Sequence, residues 1–177
     1  MPVYSFENFV PEIHESVFLA PTAEIIGRVK LAKDSNIWFG TVIRGDENFI
    51  EVGEGTNVQD LSLLHITAQN PLIVGNYVTI GHNVILHACT VGDNCLIGMG
   101  AIVLDGAIIG KNSLVAAGSV VSPGKEFPAN SLIMGSPARV VRELRPDEIE
   151  KYGKHYLGYI HTKNLYSDPS KYRLIRS

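Results

Sequence analysis

An aliphatic residue recurs every six positions through most of this 177-residue chain, and this period constrains the fold more than any other feature. The repeat occupies Ile25, Leu31, Ile37, Ile43, Val52, Val58, Leu64, Val74, Ile80, Leu86, Val91, Ile97, Val103, Ile109, Val115 and Val121, with a few changes of phase. A small residue often follows four places later, as Ser62, Cys95 and Ala101 do. An α-helix repeats every 3.6 residues and a half-buried strand every two, so neither element explains a period of six.

Glycine directly follows several of the aliphatic residues, as at Gly75, Gly81, Gly92, Gly98 and Gly110. A short extended segment with one aliphatic side chain inward, one small residue near a corner and a glycine at the turn satisfies this pattern. Three such segments make one triangular coil, and stacked coils form parallel strands about 4.8 Å apart. The sequence therefore predicts an all-β fold over residues 20 to 125, which resembles the left-handed parallel β-helix of hexapeptide-repeat proteins.

The C-terminal part of the chain has a different pattern. Pro146 and the acidic residues after it are typical of the first turn of a helix. Apolar and aromatic residues follow at helical spacing, so we expect one amphipathic helix over residues 146 to 163, packed against the β-helix. The end of the chain, SDPSKYRLIRS, is expected to be an irregular arm. This divides the chain into a β-helix domain at 1–140 and a C-terminal helix and arm at 141–177.

Charge and composition argue against several classes of partner. The formal net charge is -3 and the pI is near 6.0, which gives no basic surface for nucleic acid. No run of about 18 apolar residues is present, and the N-terminal segment is acidic, unlike a signal peptide. We therefore expect a cytoplasmic protein without a nucleic-acid or membrane partner. Cys89 and Cys95 are expected to be small buried hydrophobic residues, because two cysteines make a poor disulfide framework in a chain of this size.

Two of the six histidines occupy equivalent positions of successive coils. His65 follows Leu64 and His87 follows Leu86, so stacking should bring the two rings to about one strand spacing, close enough to share a metal ion. His82 lies one corner away, on a different face of its own chain. Three subunits around a threefold axis would place His82 of one subunit opposite His65 and His87 of another. His14, His155 and His161 lie outside the repeat and are expected to be structural.

The segment RGDENFIEVGEGTNVQD, on the coils before His65, is unusually rich in polar side chains: Arg44, Asp46, Glu47, Asn57, Gln59 and Asp60. Polar groups at this density need hydrogen-bonding partners when another subunit covers them. Arg44 and Asp46 could pair across an interface, and Asp60 could orient a histidine or hold the arginine.

The segments RGDENFIEVGEGTNVQDLSLLH, GHNVILHAC and GSPARVV resemble the gamma-class carbonic anhydrases. The resemblance implies a homotrimer with three metal sites at the subunit interfaces. It implies that His65 and His87 bind the metal together with His82 of a neighbouring subunit. It also implies an intersubunit ion pair of Arg44 with Asp46, an active-site acid at Glu47, two amides beside the metal at Gln59 and Asn57, and a supporting carboxylate at Asp60.

The activity implied by the resemblance is reversible hydration of carbon dioxide to bicarbonate by a zinc-bound hydroxide. Three neutral imidazoles leave zinc one open position, although iron(II) or cobalt(II) also suits such ligands. Zinc lowers the pKa of its bound water to about 7, as is known for carbonic anhydrases generally. Gln59 would hold the hydroxide by an amide hydrogen bond, and Glu47 would take up the released proton.

The sequence departs from the family pattern at two places. The segment ITAQNPLIV after His65 contains no acid where the family has an acidic loop, and no C-terminal asparagine aligns, although Tyr159 could fill that space. Two other functions stay open: an acyltransferase that uses coenzyme A and one histidine, and a non-catalytic metal-binding trimer. The GSPARVV motif also occurs in acyltransferases of this fold, whereas the three histidines with Gln59 favour the metal enzyme.

Overall fold

Short strands stack in three parallel faces in the computed structural model, which describes residues 2–175. Before the last two strands, consecutive strands lie on different faces, and each pairs in parallel with a strand of the next coil, as Leu96 does with Leu114 and Ile97 with Val115. A repeat of three segments of six residues accounts for this pairing distance. The parallel β-solenoid predicted from the period is confirmed.

The first face contains Phe18–Leu19, Asn36–Ile37, Asn57–Val58, Thr79–Ile80, Leu96–Ile97, Leu114–Val115 and Ser131–Gly135, joined by the antiparallel strand Ala138–Glu143. The second face contains Val3–Tyr4, Leu63–His65, Ile85–His87, Ile102–Val103 and Val120–Val121. The third face contains Glu12–Ile13, Leu72–Val74, Thr90–Val91, Ile108–Ile109 and Glu126–Phe127. Two long strands, Glu24–Leu31 and Val42–Val52, run from the second face into the third.

The aliphatic repeat positions form the core of the solenoid. All sixteen named above are buried, none with more than 2 % of its surface exposed. Small residues at the companion positions are buried as well, and their hydroxyls bond to the next coil: Thr41 Oγ1 donates to the Gln59 carbonyl at 2.9 Å, and Ser62 Oγ to the Gly81 carbonyl at 3.1 Å. The hexad pattern thus encodes both the apolar core and the polar contacts between coils.

Glycine follows the aliphatic positions for a different physical reason from the turn conformation that was predicted. A Cβ atom on Gly98 would collide with the backbone nitrogen of Ala117 in the next coil, so close approach of the coils excludes a side chain there. The left-handed backbone position of these turns falls two residues later, on residues such as Asn83 and Gly100. Glycine and asparagine tolerate that conformation better than other residue types.

The C-terminal segment forms two helices, not the single helix predicted over residues 146 to 163. Helix α1 spans Pro146–Gly153 and helix α2 spans Tyr156–Ser167. Glycine is unfavourable in a helix interior, and α1 ends at Gly153. The Lys154 amide then bonds back to the carbonyl of Glu150, which closes the turn between the helices. Periodicity alone cannot reveal this break, because the helical spacing of the apolar residues continues across it.

Helix α2 is fixed to the first coils by a buried cation and a cluster of aromatic rings. Lys163 Nζ donates to Asp34 Oδ1 and to the Ser16 carbonyl, both at 2.9 Å. The Trp38 ring packs against Tyr159 and Tyr166, with ring centroids 5.6 Å and 5.1 Å away. These contacts extend the helix beyond the predicted end and place Tyr159 over the corner that follows the first face.

The strand Ala138–Glu143 crosses the boundary expected at residue 140, because it continues the first face by pairing with Ser131–Gly135. In the described part of the expected arm, Tyr172 packs on Tyr166 with ring centroids 4.8 Å apart. Residues 176 and 177 lie outside the described part. Neither helix within residues 2–175 is long and apolar enough to cross a membrane.

Candidate metal centre

His65 and His87 end adjacent strands of the second face and are direct neighbours in the strand register. Their ring centroids lie 5.2 Å apart, and His65 Nδ1 approaches His87 Nε2 to 3.1 Å. The repeat predicted this proximity from the equivalent positions of the two residues on successive coils. The sequence gap between them spans one turn of the solenoid.

A carboxylate contacts the far nitrogen of each of these rings. Asp46 Oδ1 lies 3.1 Å from His65 Nε2, and Asp105 Oδ1 lies 2.5 Å from His87 Nδ1. An ionised carboxylate can only accept hydrogen bonds, so each of these outer nitrogens carries the proton. The two inner nitrogens then face each other, and a metal ion bound between them would be coordinated by a lone pair of each.

The separation of these inner nitrogens fits two ligands of one metal ion. Zinc binds imidazole at about 2.0–2.1 Å in tetrahedral geometry, which sets two ligand nitrogens about 3.3 Å apart. The observed 3.1 Å is close to that value. The carboxylate–histidine arrangement is also the usual surrounding of a metal-binding imidazole. The chemistry of this donor pair therefore suits a divalent metal.

His82 lies in the turn between the first and second faces, apart from the other two histidines. Its Nδ1 atom lies 2.8 Å from Asp60 Oδ2, and nearly half of its side chain is exposed. The sequence left two partners open for Asp60, and the structure pairs it with the histidine. His82 lines a cavity of about 440 Å³ together with Gln59 and Tyr159.

The amide of Gln59 is held by a buried chain of hydrogen bonds. Gln59 Nε2 donates to Asn57 Oδ1 at 3.0 Å, and Asn57 Nδ2 donates to Thr79 Oγ1 at 2.9 Å. Gln59 lines the cavity together with His82, and Asn57 lies directly behind it. The network therefore fixes the orientation of a polar group at the cavity wall.

Tyr159 reaches the same cavity from helix α2. Burial raises the pKa of its phenol, and the negative charge of Asp60 raises it further. The hydroxyl is therefore protonated at neutral pH and can donate a hydrogen bond. His155 lines the cavity too, although the sequence assigned it no role beyond structure.

Arg44 and Asp46 form an ion pair within one chain, whereas the resemblance implied a pair between subunits. Burial raises the pKa of Asp46, but hydrogen bonds from its own backbone amide, His65 and Arg44 outweigh it and leave the pKa below its usual value. Asp46 is therefore an anion that connects Arg44 to His65. Glu47 follows on the same strand with an exposed side chain.

The site residues named from the sequence thus fall into two groups on one chain. His65, His87, Asp46 and Arg44 form one group on the second face, and His82, Asp60, Gln59 and Asn57 form the other at the preceding corner. Within residues 2–175, no three His, Cys, Asp or Glu side chains converge as a complete metal site. The sequence reasoning missed Asp105; its position one coil after His87 was the available signal.

Comparison with known proteins gives several matches. The family model described as bacterial transferase hexapeptide (six repeats) matches residues 88–123. A carbonic anhydrase of Geobacillus kaustophilus is 44% identical over 164 residues, which cover 93% of this chain and 90% of the relative. Gamma carbonic anhydrase 2 of Arabidopsis thaliana, a mitochondrial protein, is 40% identical over 163 residues, covering 89% of this chain. The match spans only 59% of that plant protein.

Among solved structures, a Bacillus cereus protein described as a proposed acetyltransferase superposes with a TM-score of 0.91. It is 43% identical in sequence, and the match covers 93% of this chain and 95% of the other. The similarity therefore extends over nearly the whole chain.

Proposed function

Because the chain belongs to the gamma-class carbonic anhydrase family, we propose that it is a metal-dependent carbonic anhydrase that interconverts carbon dioxide and bicarbonate. Zinc is the proposed metal, and iron(II) or cobalt(II) suits the same imidazole ligands. The observation that carries the proposal is the 3.1 Å approach of His65 Nδ1 to His87 Nε2, the two ring nitrogens that do not face an aspartate. A cation bound between the two rings would account for this close approach.

The proposed ligands are His65 and His87 of one subunit and His82 of a neighbour in a homotrimer. The two groups of site residues on a single chain support this division, since His82 belongs to a different corner. A bound divalent metal would supply Lewis acidity and lower the pKa of a coordinated water to about 7, as is known for zinc in carbonic anhydrases.

The residues around the cavity would bind and orient the reactants. Gln59 and Tyr159 offer polar groups that suit the oxygen atoms of bicarbonate or water. Ile97, Leu114 and Ala116 give the cavity an apolar wall, which suits carbon dioxide. The hydrogen bond between Gln59 and Asn57 would hold the amide in place before substrate arrives, which lowers the entropy that binding must overcome.

Hydration releases one proton, which must reach solvent. We assign its uptake to Glu47, whose exposed carboxylate follows the histidine-bound Asp46 in sequence. The short loop after His65 offers no acid, and Asn48 Nδ2 holds it close by donating to the carbonyls of Thr67 and Ala68 at 3.3 Å and 3.2 Å. A general acid or base must be within hydrogen-bond reach of its proton directly or through water.

The test is metal content together with carbon dioxide hydration, measured under reducing, anaerobic conditions on protein purified without chelators. His82→Ala and His87→Ala should each lose bound metal and hydration activity. His161→Ala is the matched control, because His161 is an exposed histidine of helix α2. Hydration by a metal-free protein, or equal metal content in all four proteins, would contradict the proposal.

An acyltransferase that uses coenzyme A is the second candidate, favoured by the likeness to the Bacillus cereus protein and by a cavity much larger than carbon dioxide. Calorimetric titration with acetyl coenzyme A distinguishes the two. Tight binding, with acyl transfer that needs one histidine and no metal, would favour it. Metal binding without hydration would favour a non-catalytic trimer.

A further inference from the structure

Each of the three candidate ligands contacts a different aspartate. Asp46 contacts His65, Asp60 contacts His82, and Asp105 contacts His87. The first two aspartates belong to the polar segment that precedes His65. Asp105 lies in a later coil and has had no role in the function proposed above.

The contact of Asp105 is the shortest of the three. Its Oδ1 atom lies 2.5 Å from His87 Nδ1, while the opposite ring nitrogen, Nε2, faces His65. The position of Asp105 is fixed by the solenoid itself, because its backbone carbonyl accepts a hydrogen bond from the Gly124 amide at 2.8 Å. The carboxylate is thus presented to His87 by the next coil.

We propose that Asp105 is a positioning residue that sets the tautomer and the orientation of His87 for metal binding. By accepting a hydrogen bond from Nδ1–H, it keeps the proton on Nδ1 and leaves the lone pair on Nε2, the atom that faces His65. A ring held in this way is a more basic and less mobile ligand. This inference rests on the proposed function, since it requires that His87 binds a metal.

The exposure of the Asp105 side chain argues against a purely structural role. About two fifths of its side chain is exposed, so it fills no core position. Its replacement should therefore leave folding of the metal-free protein nearly unchanged and act on the metal ligand instead. Glu126, an exposed acid of the third face one coil further, offers a control that removes the same charge without a histidine contact.

The experiment is a titration of the full-length, metal-free protein with Co²⁺, followed by visible absorption and by competition with a chelator. Asp105→Ala should weaken cobalt binding by about 10- to 100-fold, the usual effect of losing such a carboxylate. Asp105→Asn should lose less, because its amide oxygen can still accept a hydrogen bond from Nδ1–H. Glu126→Gln should bind as the wild type does, and all variants should unfold at similar temperatures without metal.

Proton NMR of the zinc-loaded protein gives a second readout. The Nδ1 proton of His87 should be downfield and slow to exchange in the wild type, and exchange rapidly in Asp105→Ala. Cobalt affinity unchanged in Asp105→Ala would overturn the inference, as would a loss matched by Glu126→Gln or by a destabilised metal-free fold. A wild-type protein that binds no cobalt would instead contradict the metal site itself.

Discussion

His65 Nδ1 and His87 Nε2 lie 3.1 Å apart because the two residues are register partners on adjacent coils. The outer nitrogen of each ring faces an aspartate, so the inner nitrogens are the ones available to a metal ion. One chain thereby brings two of the proposed ligands together but holds the third, His82, at another corner. The proposed site of three histidines therefore takes His82 from a second chain.

Replacing Arg44 tests whether another subunit buries its ion pair with Asp46. An exposed pair contributes about 0–1 kcal/mol, whereas breaking a buried interfacial pair costs about 3–5 kcal/mol. Arg44 is 43% exposed in the isolated chain, so a large effect of Arg44→Ala would reveal cover by a neighbour. We expect monomer or an unstable trimer in analytical ultracentrifugation.

Arg145→Ala serves as the control for that variant. Arg145 also pairs with an aspartate two residues away, Asp147, but both side chains are largely exposed. It should sediment as the wild type does. If Arg44→Ala also remains a robust trimer, the Arg44–Asp46 pair is peripheral to assembly.

Substitutions of Cys95 test how tightly the small residues four places after the aliphatic positions are packed. It is buried in the core, and burial raises the pKa of its thiol to about 12, so it should be reduced and unreactive at neutral pH. Cys95→Ala removes little volume and should be mild, whereas Cys95→Phe should destabilise by about 1–3 kcal/mol or more through overpacking. Urea unfolding measures both free energies. Equal tolerance of the two changes would show that the register of the hexads is wrong.

The contact between Glu148 and the strand before helix α1 predicts that the stability of the fold depends on pH in the acid range. Arg142 donates two hydrogen bonds to the Glu148 carboxylate, at 2.7 Å and 2.8 Å. Together with a hydrogen bond from the Arg145 backbone amide, these lower the pKa of Glu148 from 4.5 to about 2. The carboxylate therefore stabilises the folded state fully above about pH 4.5. This contribution should disappear as the pH falls towards 2, because protonation breaks the pair.

Unfolding of the wild type and of Glu148→Gln, followed by circular dichroism from pH 7 to pH 2, checks this expectation. The difference in unfolding free energy should be constant above pH 4.5 and should vanish near pH 2. A difference that stays constant down to pH 2 would show that the ion pair does not contribute.

The repeat made much of the architecture predictable. Once Leu64 and Leu86 are placed on the same face, the proximity of His65 and His87 follows from strand register alone. The separate position of His82 follows from its place one hexad earlier. Such relations are predictable because a solenoid converts sequence spacing directly into spatial position.

Features that depend on side-chain geometry were not predictable in this way. The break between α1 and α2 depends on Gly153 and the hydrogen bonds of the turn, which leave no mark on the apolar period. Asp105 was overlooked because its place in the hexad looks like that of any turn residue. Its contact with His87 depends on how the two side chains are directed between coils.

The most direct test of the intersubunit site is the metal content of mixed trimers. His82→Ala chains retain His65 and His87, whereas His87→Ala chains retain His82. Each variant alone should bind no metal at the three sites of its homotrimer. In a mixed trimer, however, one interface joins an intact His82 to an intact pair of His65 and His87.

Chains of the two variants carry different affinity tags, are exchanged, and are purified by both tags in succession, so that only mixed trimers remain. We predict one bound metal ion per mixed trimer, and none in either parent. Confirmed mixed trimers that bind no metal would contradict a site shared between subunits, because sites contained in single chains could never be restored by exchange.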